Sequence, residues 1–332
     1  MIPLSVLREL SRSERVPESS RRRFEEALRD PAVETFARRV TPRPTKVSVR
    51  SVRPAIAALI FDCSRSEALP GKHVLSPAVS GDATVSFVDL NLSQLLEFFQ
   101  ACFGRISLDG RGLSVLASVH YGNHYPNAYW NGYGLVFGDG DGLIFRSMAS
   151  SDDFIGHEFM HGVTQYASAL EYSGEAGALN ESFSDIFGSL FRQWRASQTA
   201  TVADWMIGSG LMGPVAISNG WQCLRSLKSP GAAYSLSKQP WHYDEYIQGG
   251  GPHDNSGIPN HAFFLVCQKL GGYCWEVAGA IWYRVLISVN DPNIGFVDFA
   301  HETYKKSEEL FPHNASIARS VKESWREVGV SF

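Results

Sequence analysis

The apolar positions change period along the chain, and the changes divide it. In residues 1–45, Ile2, Leu4, Leu7 and Leu10 make one small helical face, and Ser19 or Ser20 is placed to cap a helix carrying Phe24 and Leu28. Pro31 interrupts this pattern, Val33, Phe36, Ala37 and Val40 resume it, and Pro42 and Pro44 stop it inside a linker-like Thr-Pro-Arg-Pro-Thr. So little apolar surface cannot fold alone, so this leader is expected to lie against the rest of the chain. From Lys46 the period is two. Val47/Val49, Ala55 to Phe61, Leu113 to Val119 and Leu135 to Phe137 read as strands, with a turn at Leu69-Pro-Gly71. One long helix sits among them, with Val85, Val88, Leu92, Leu95, Leu96, Phe99 and Phe103 at helical spacing. The Gly138-Asp-Gly-Asp-Gly142 loop lacks the spacing and terminal glutamate of an EF-hand and reads as a plain turn.

Beyond residue 153 the character becomes helical, with predicted segments at 153–167, 176–195, 258–270, 273–289, 295–310 and 315–328. The expectation is an α+β chain of two lobes: a leader and linker over 1–48, a β-rich domain over 49–152 and a helical domain over 153–332. Clefts form at such junctions, which places the helix from Asp153 at the centre.

A chain of 332 residues with 44 % hydrophobic and 19 % charged content is ordinary for a globular protein. It holds no apolar run of membrane-spanning length, and its start lacks the basic and apolar blocks of a signal peptide. We expect no membrane partner and synthesis in the cytoplasm, with secretion by another route left open. Five scattered cysteines without a Cys-x-x-Cys pair argue against a disulfide scaffold or a thiolate zinc site. The charge is uneven: residues 1–53 carry 13 Lys+Arg and 7 Asp+Glu, a net +6, so with −4 overall the remainder carries −10. Glutamates alternate with the leader's arginines and no aromatic platform accompanies them, which argues against nucleic acid. Docking of the leader on the acidic body, or a merely solvated helical face, accounts for the asymmetry.

The chemistry lies in His157-Glu158-Phe-Met-His161. Residues four apart sit about 40° from each other around a helix, so both imidazoles can share one metal ion, with Glu158 beside it. This is the His-Glu-x-x-His pattern of zinc peptidases, in which the glutamate acts as base; two core histidines on a buried helix are the competing reading. A catalytic zinc takes three protein ligands. Glu181 offers the third, and Asp185, on the same helix face, is suited to orient His157 through its other ring nitrogen.

Together, His157-Glu158-x-x-His161 and Gly177-Ala-x-Asn180-Glu181-x-x-Ser-Asp185 closely resemble the thermolysin-like zinc endopeptidases. The resemblance runs from about residue 55 to the end and takes in the blocks Val119 to Gly132, Phe137 to Gly142, Leu224-Arg225-Ser and His253 to Phe263. It implies one catalytic zinc on His157, His161 and Glu181, Glu158 as general base, Tyr172 and His253 as oxyanion donors, and Asn180 beside Asp185 behind the ligands. It also implies that Asn127, Ala128, Tyr129, Trp130 and Arg225 hold the substrate backbone. Met148, Phe154, Ile207 and Leu224 would line a pocket for a large apolar residue after the cut, narrowed by Phe154.

Two departures stand out. Asp153 and Asp204 keep two positions of the family's calcium site, but Arg192, Met206 and Ser209 occupy others, so Arg192 is expected to replace the cation; any calcium would bind elsewhere. Where the family often has an aspartate to orient the histidine, Gln248 stands five residues before His253, leaving Gln248 or Asp244 as candidates. The leader, with Ile2-Pro-Leu-Ser-Val-Leu-Arg, looks like the short propeptide of the protealysin-like branch. That implies an intramolecular inhibitor, removed autocatalytically by a cut between about residues 40 and 54, on an enzyme acting on peptides or proteins, expected to be a monomer. The rival readings are a catalytically idle zinc-binding protein on the same fold and a zinc hydrolase of non-peptide amides. The presence of Glu158, Tyr172 and His253 speaks against the first, and Asn127-Ala128 against the second.

Overall fold

The computed structural model describes residues 1–30 and 58–332. The helix expected over Val33–Val40, the linker, the Val47/Val49 strand and the boundary at residue 48 lie outside the described residues. The leader contributes α1 (Leu4–Arg12) and α2 (Glu18–Ala27), with Pro3 and Pro17 at the N-caps, where a missing N–H costs nothing. Its apolar face is spent on the body: Ile2, Leu7, Leu10, Val16 and Phe24 are buried, and Phe24 meets Phe145 edge-on at 6.0 Å. The arginines behave differently from the charge-docking expectation. Arg22 and Arg23 pair with Glu18 and Glu26 inside α2, while Arg15 reaches the body through the Asn219 carbonyl (2.6 Å) and the face of Trp221 (4.9 Å). Burial of apolar surface, worth about 25 cal/mol per Å², therefore dominates this seam over ion pairing.

The N-terminal lobe is a five-stranded sheet in the order β2-β1-β3-β5-β4, built from β1 (Ala58–Asp62), β2 (Lys72–His73), β3 (Val115–Tyr121), β4 (Ala128–Trp130) and β5 (Gly134–Gly138). The strands β1, β3 and β5 run parallel; β4 pairs antiparallel with β5 and forms one edge. The crossover from β1 to β3 is the predicted long helix, α3 (Ala83–Phe103). Asp82 caps it, accepting from Thr84 N (2.8 Å) and Val85 N (3.0 Å), and Gly104 ends it in the left-handed region. The strand expected over Leu113 to Val119 runs from Val115 to Tyr121, with its register shifted between Ser118 and Tyr121, where His120, at φ 54°, has Nδ1 2.6 Å from Asp139 and Nε2 3.0 Å from Asp82. The Asp-Gly loop is stapled by its own aspartates, Asp139 on His120 and Asp141 accepting from the amides of Ile144 and Phe145.

The C-terminal lobe begins with α4 (Asp152–Ala167) and α5 (Gly174–Arg195), followed by α6 (Pro214–Ser218), α7 (Pro252–Asn255), α8 (Gly257–Leu270), α9 (Ala278–Ser288), α10 (Phe296–Leu310) and α11 (Ala315–Glu327). A two-stranded ribbon of β6 (Met206–Ile207) and β7 (Arg225–Ser226) lies between α5 and α7. The lobe's core stacks Trp282 on Trp325 at 6.2 Å, closed by Phe299. The short elements β4, β6, β7, α6 and α7 carry too few residues for a period to be read.

Candidate active site

Helix α4 is buried continuously from Asp153 to Thr164, so its histidines face protein on every side. It lies against α5 at a crossing that only glycines permit. A Cβ on Gly188 would sit 2.3 Å from the Asp153 carbonyl oxygen, and one on Gly156 would sit 3.0 Å from the Gly188 Cα. This approach brings Glu181 of α5 across to the histidines of α4.

The result is one cluster of three buried ligands, His157, His161 and Glu181. The His157 and His161 Nε2 atoms are 3.1 Å apart, and they lie 3.4 and 3.5 Å from the two Glu181 carboxylate oxygens. Tetrahedral zinc with ligands at about 2.0–2.1 Å requires ligand atoms about 3.3 Å apart, so the donor set fits that ion without rearrangement. Burial pushes both imidazoles below their ordinary pKa, His157 furthest, leaving the neutral form that binds metals. Burial works against ionising Glu181, but His253, His161 and His157 outweigh it and hold the carboxyl well below its usual range.

A second layer fixes the ligands. Asp185 takes His157 Nδ1 at 2.9 Å, the Arg225 fork at 2.7 and 2.9 Å, and Asn260 Nδ2 at 2.9 Å. His161 Nδ1 lies 3.1 Å from Asn180 Oδ1 and 3.2 Å from Ser184 Oγ. Ser184 and Asn260 were missed, although Ser184, four residues after Asn180, shares its helix face, and Asn260 is a polar residue among the inward-facing Ile258, Ala262 and Phe263 of α8. Arg225 is fully buried with its fork on Asp185, and its remaining Nη1 has no hydrogen-bond partner among the described residues.

Around the cluster, the Tyr172 hydroxyl is hydrogen-bonded to Glu181 and lies 3.5 Å from His253 Nε2, while His253 Nδ1 lies 2.6 Å from Glu181. Neither candidate for orienting His253 is beside it: Gln248 is exposed, and Asp244 faces His242 at 3.4 Å. Glu158 is fully buried, and the Met1 amino group forms an ion pair with its Oε1. Next in the leader, Ile2 N donates to Asn127 Oδ1 at 2.7 Å. Asn127 and Ala128 are buried at the edge strand β4. Tyr129 packs edge-on against Tyr121 at 5.9 Å, and Trp130 turns to α4, donating to Gln165 at 2.7 Å. Phe154 stacks flat on the His157 ring at 5.7 Å, so it braces a ligand as well as bordering the site. Met148, Ile207 and Leu224 are fully buried, the last two joined by the Leu224 N to Ile207 O bond.

At the start of α4, Arg192 spans the acidic group. Its Nε meets Asp152 at 2.8 Å, Nη2 meets Asp153 at 3.2 Å and Ser151 at 3.0 Å, and Nη1 meets Ser209 at 3.0 Å and Asp204 at 3.7 Å. Arg195 adds a bond to Asp152 at 2.9 Å. Asp153, wholly buried, has its pKa raised by that burial, with Arg192 acting in the opposite direction.

Comparison with known proteins agrees with this geometry. Residues 80–165 match the thermolysin metallopeptidase catalytic domain, and residues 168–330 match the thermolysin metallopeptidase alpha-helical domain. The chain is 42 % identical over 283 residues to an extracellular metalloprotease of Pectobacterium carotovorum, covering 82 % of this chain and 80 % of that one. It is 35 % identical over 247 residues to thermolysin of Alicyclobacillus acidocaldarius, covering 70 % of this chain and 43 % of that one. Among solved structures, the precursor of protealysin, a metalloproteinase of Serratia proteamaculans, superposes with a TM-score of 0.87 at 39 % identity, covering all of this chain and 99 % of that one. The chain belongs to the thermolysin family of metallopeptidases and is a thermolysin-like metalloendopeptidase carrying a propeptide.

Proposed function

We propose that this chain is the inhibited precursor of a zinc endopeptidase in which Glu158 is the proton-transferring residue. The observation that carries this reading is the buried Glu158 carboxylate beside three metal-suited ligands, its Oε1 on the leader's amino group and its Oε2 without a hydrogen-bond partner among the described residues. A buried carboxylate costs several kcal/mol to leave uncompensated, and in the precursor the leader's amino group supplies the compensating charge. His157, His161 and Glu181 would hold one zinc ion, which when bound lowers the pKa of a water towards about 7 and polarises the scissile carbonyl.

Glu158 takes a proton from the attacking water and later gives it to the leaving nitrogen. Tyr172 and His253, converging beside Glu181, donate to the developing oxyanion, where one such donor is worth roughly 3 kcal/mol. The peptide adds along the edge strand β4, with Asn127 Nδ2 and Arg225 Nη1, which have no hydrogen-bond partner among the described residues, available to its carbonyls. The apolar Met148, Phe154, Ile207 and Leu224 set a preference for a large hydrophobic residue after the cut.

The leader blocks the cleft from within. Ile2 N uses the Asn127 oxygen that a substrate amide would use, and the Met1 amine neutralises the base. Self-cleavage between about residues 40 and 54, which lie outside the described residues, would release it, leaving a β-rich lobe to residue 152 and a helical lobe after it. At the start of α4, Arg192 supplies the charge that relatives of this fold take from calcium. The test is Glu158→Gln in the full chain. Zinc should remain bound at one per chain, while casein cleavage and leader removal both stop; undiminished activity would sink the mechanism.

A further inference from the structure

We propose that Gln239 is a positioning residue for His253, holding it by its main chain where the expected side-chain partner is missing. His253 sits on α7, a single four-residue turn whose carbonyls have almost no helical partners. Gln239 is buried, at 3 % exposure, and its Nε2 donates to the His253 carbonyl oxygen and to Ser256 Oγ at 2.8 Å. Ser256 Oγ donates to the same carbonyl at 3.3 Å, so one amide and one hydroxyl converge on one acceptor.

The anchor is itself fixed. Gln239 N donates to Pro230 O at 3.0 Å, and residues 239–240 pack so closely on the next turn that a Cβ on Gly257 would lie 2.4 Å from the Pro240 oxygen and 2.7 Å from Gln239 Cβ. On the other side, Asn255 clamps Ile247 through both its backbone groups at 2.9 and 3.0 Å. Helix α8 follows directly and is held independently by Asn260, which donates to Asp185 at 2.9 Å. A polar side chain aimed at a backbone carbonyl does this without adding a charge next to Glu181. In position it differs from Gln248 and Asp244, both of which lie in solvent.

This inference rests on His253 acting as a donor to the reacting carbonyl, and the test separates the two. Full-length chains carrying Gln239→Leu, His253→Ala or both are purified, matured where slow by a trace of wild-type enzyme whose rate is subtracted, and assayed on a peptide. His253→Ala should lower kcat about 100-fold, as loss of an oxyanion donor does. Gln239→Leu should lower kcat about 10-fold with KM within about twofold and zinc content unchanged, because about 1 Å of misplacement is felt in the reacting geometry. Added to His253→Ala, it should cost less than about twofold more, since a residue acting through another loses its effect when that other is gone. Gln239→Met, of similar length and lacking a donor, replaces the leucine variant should that one fail to fold. Wild-type kcat in both Gln239 variants, or the same loss with and without His253, overturns the proposal. Full activity in His253→Ala overturns the donor reading instead.

Discussion

The two ends of the α4 story treat buried carboxylates in opposite ways. At its start, Asp152 and Asp153 face Arg192 and Arg195, so the chain supplies its own cations and nearly every polar atom is matched. One to two turns later, His157 and His161 meet Glu181 of α5, and among the described residues the cation paired with Glu158 is the leader's amino group. A closed cluster gives a rigid foundation, whereas an unclosed one accepts a metal ion and a substrate. The link between them is physical: Asp153 also accepts from Gly208 N at 2.8 Å, which ties the arginine cluster to β6 and the Ile207 side of the cleft.

Four experiments would break or sharpen this contrast. The largest effect is expected at the open cluster, where Glu158→Gln should reduce turnover by about 10³-fold or more with folding intact, consistent with losing general-base catalysis. The melting temperature of the zinc-loaded precursor should fall at the same time, because the substitution leaves the buried Met1 amino group without its carboxylate. Next, Arg192→Met should destabilise the protein by about 3 kcal/mol in urea titration, because it leaves the buried Asp153 and the partly exposed Asp152 with reduced compensation. Millimolar calcium should recover part of that loss; an unchanged midpoint would show that the closed cluster is not held by Arg192.

A third carboxylate pair holds a cation that titrates. His120, between Asp139 and Asp82, has its pKa raised from 6.5 to about 9, first by the hydrogen bond to Asp139. A raised folded-state value means that the contribution is complete below about pH 6.5 and is lost as pH climbs through about 9. For this half-buried group the loss should be about 1 kcal/mol across that window, and His120→Asn should flatten it. Smallest of all, calcium added to the wild-type protein should leave its melting temperature unchanged, and isothermal titration should find no tight site at Asp153. A clear calcium-dependent shift traced to that place would mean that Arg192 does not close the cluster.

Much of this was legible beforehand because long elements write their period repeatedly. The α3, α4, α5 and α8 to α11 helices are each eleven residues or more and were visible from apolar spacing, as was the division into a β-rich and a helical lobe. The His157, His161 and Glu181 cluster was legible because an i, i+4 pair fixes its own geometry on a helix, and Glu181 with Asp185 repeats that spacing. What stayed hidden involves long-range approach. Asn260 reaches Asp185 across 75 residues and Gln239 reaches His253 across 14, and no local pattern encodes such a meeting.

The residue types and spacings therefore determined by themselves the metal-suited cluster, the helix that carries its two histidines and the presence of an apolar leader face. Only the tertiary structure decided how the leader is held: by apolar burial, by hydrogen bonds and by one ion pair of its terminal amine with Glu158, with Arg22 and Arg23 paired inside the leader itself. It likewise decided that Arg225 lies on Asp185 with one nitrogen spare, and that His253 is gripped by its carbonyl. The reason is range: a helical period acts over a few residues, but the partner of a buried polar group is whichever donor the packed chain brings within about 3 Å.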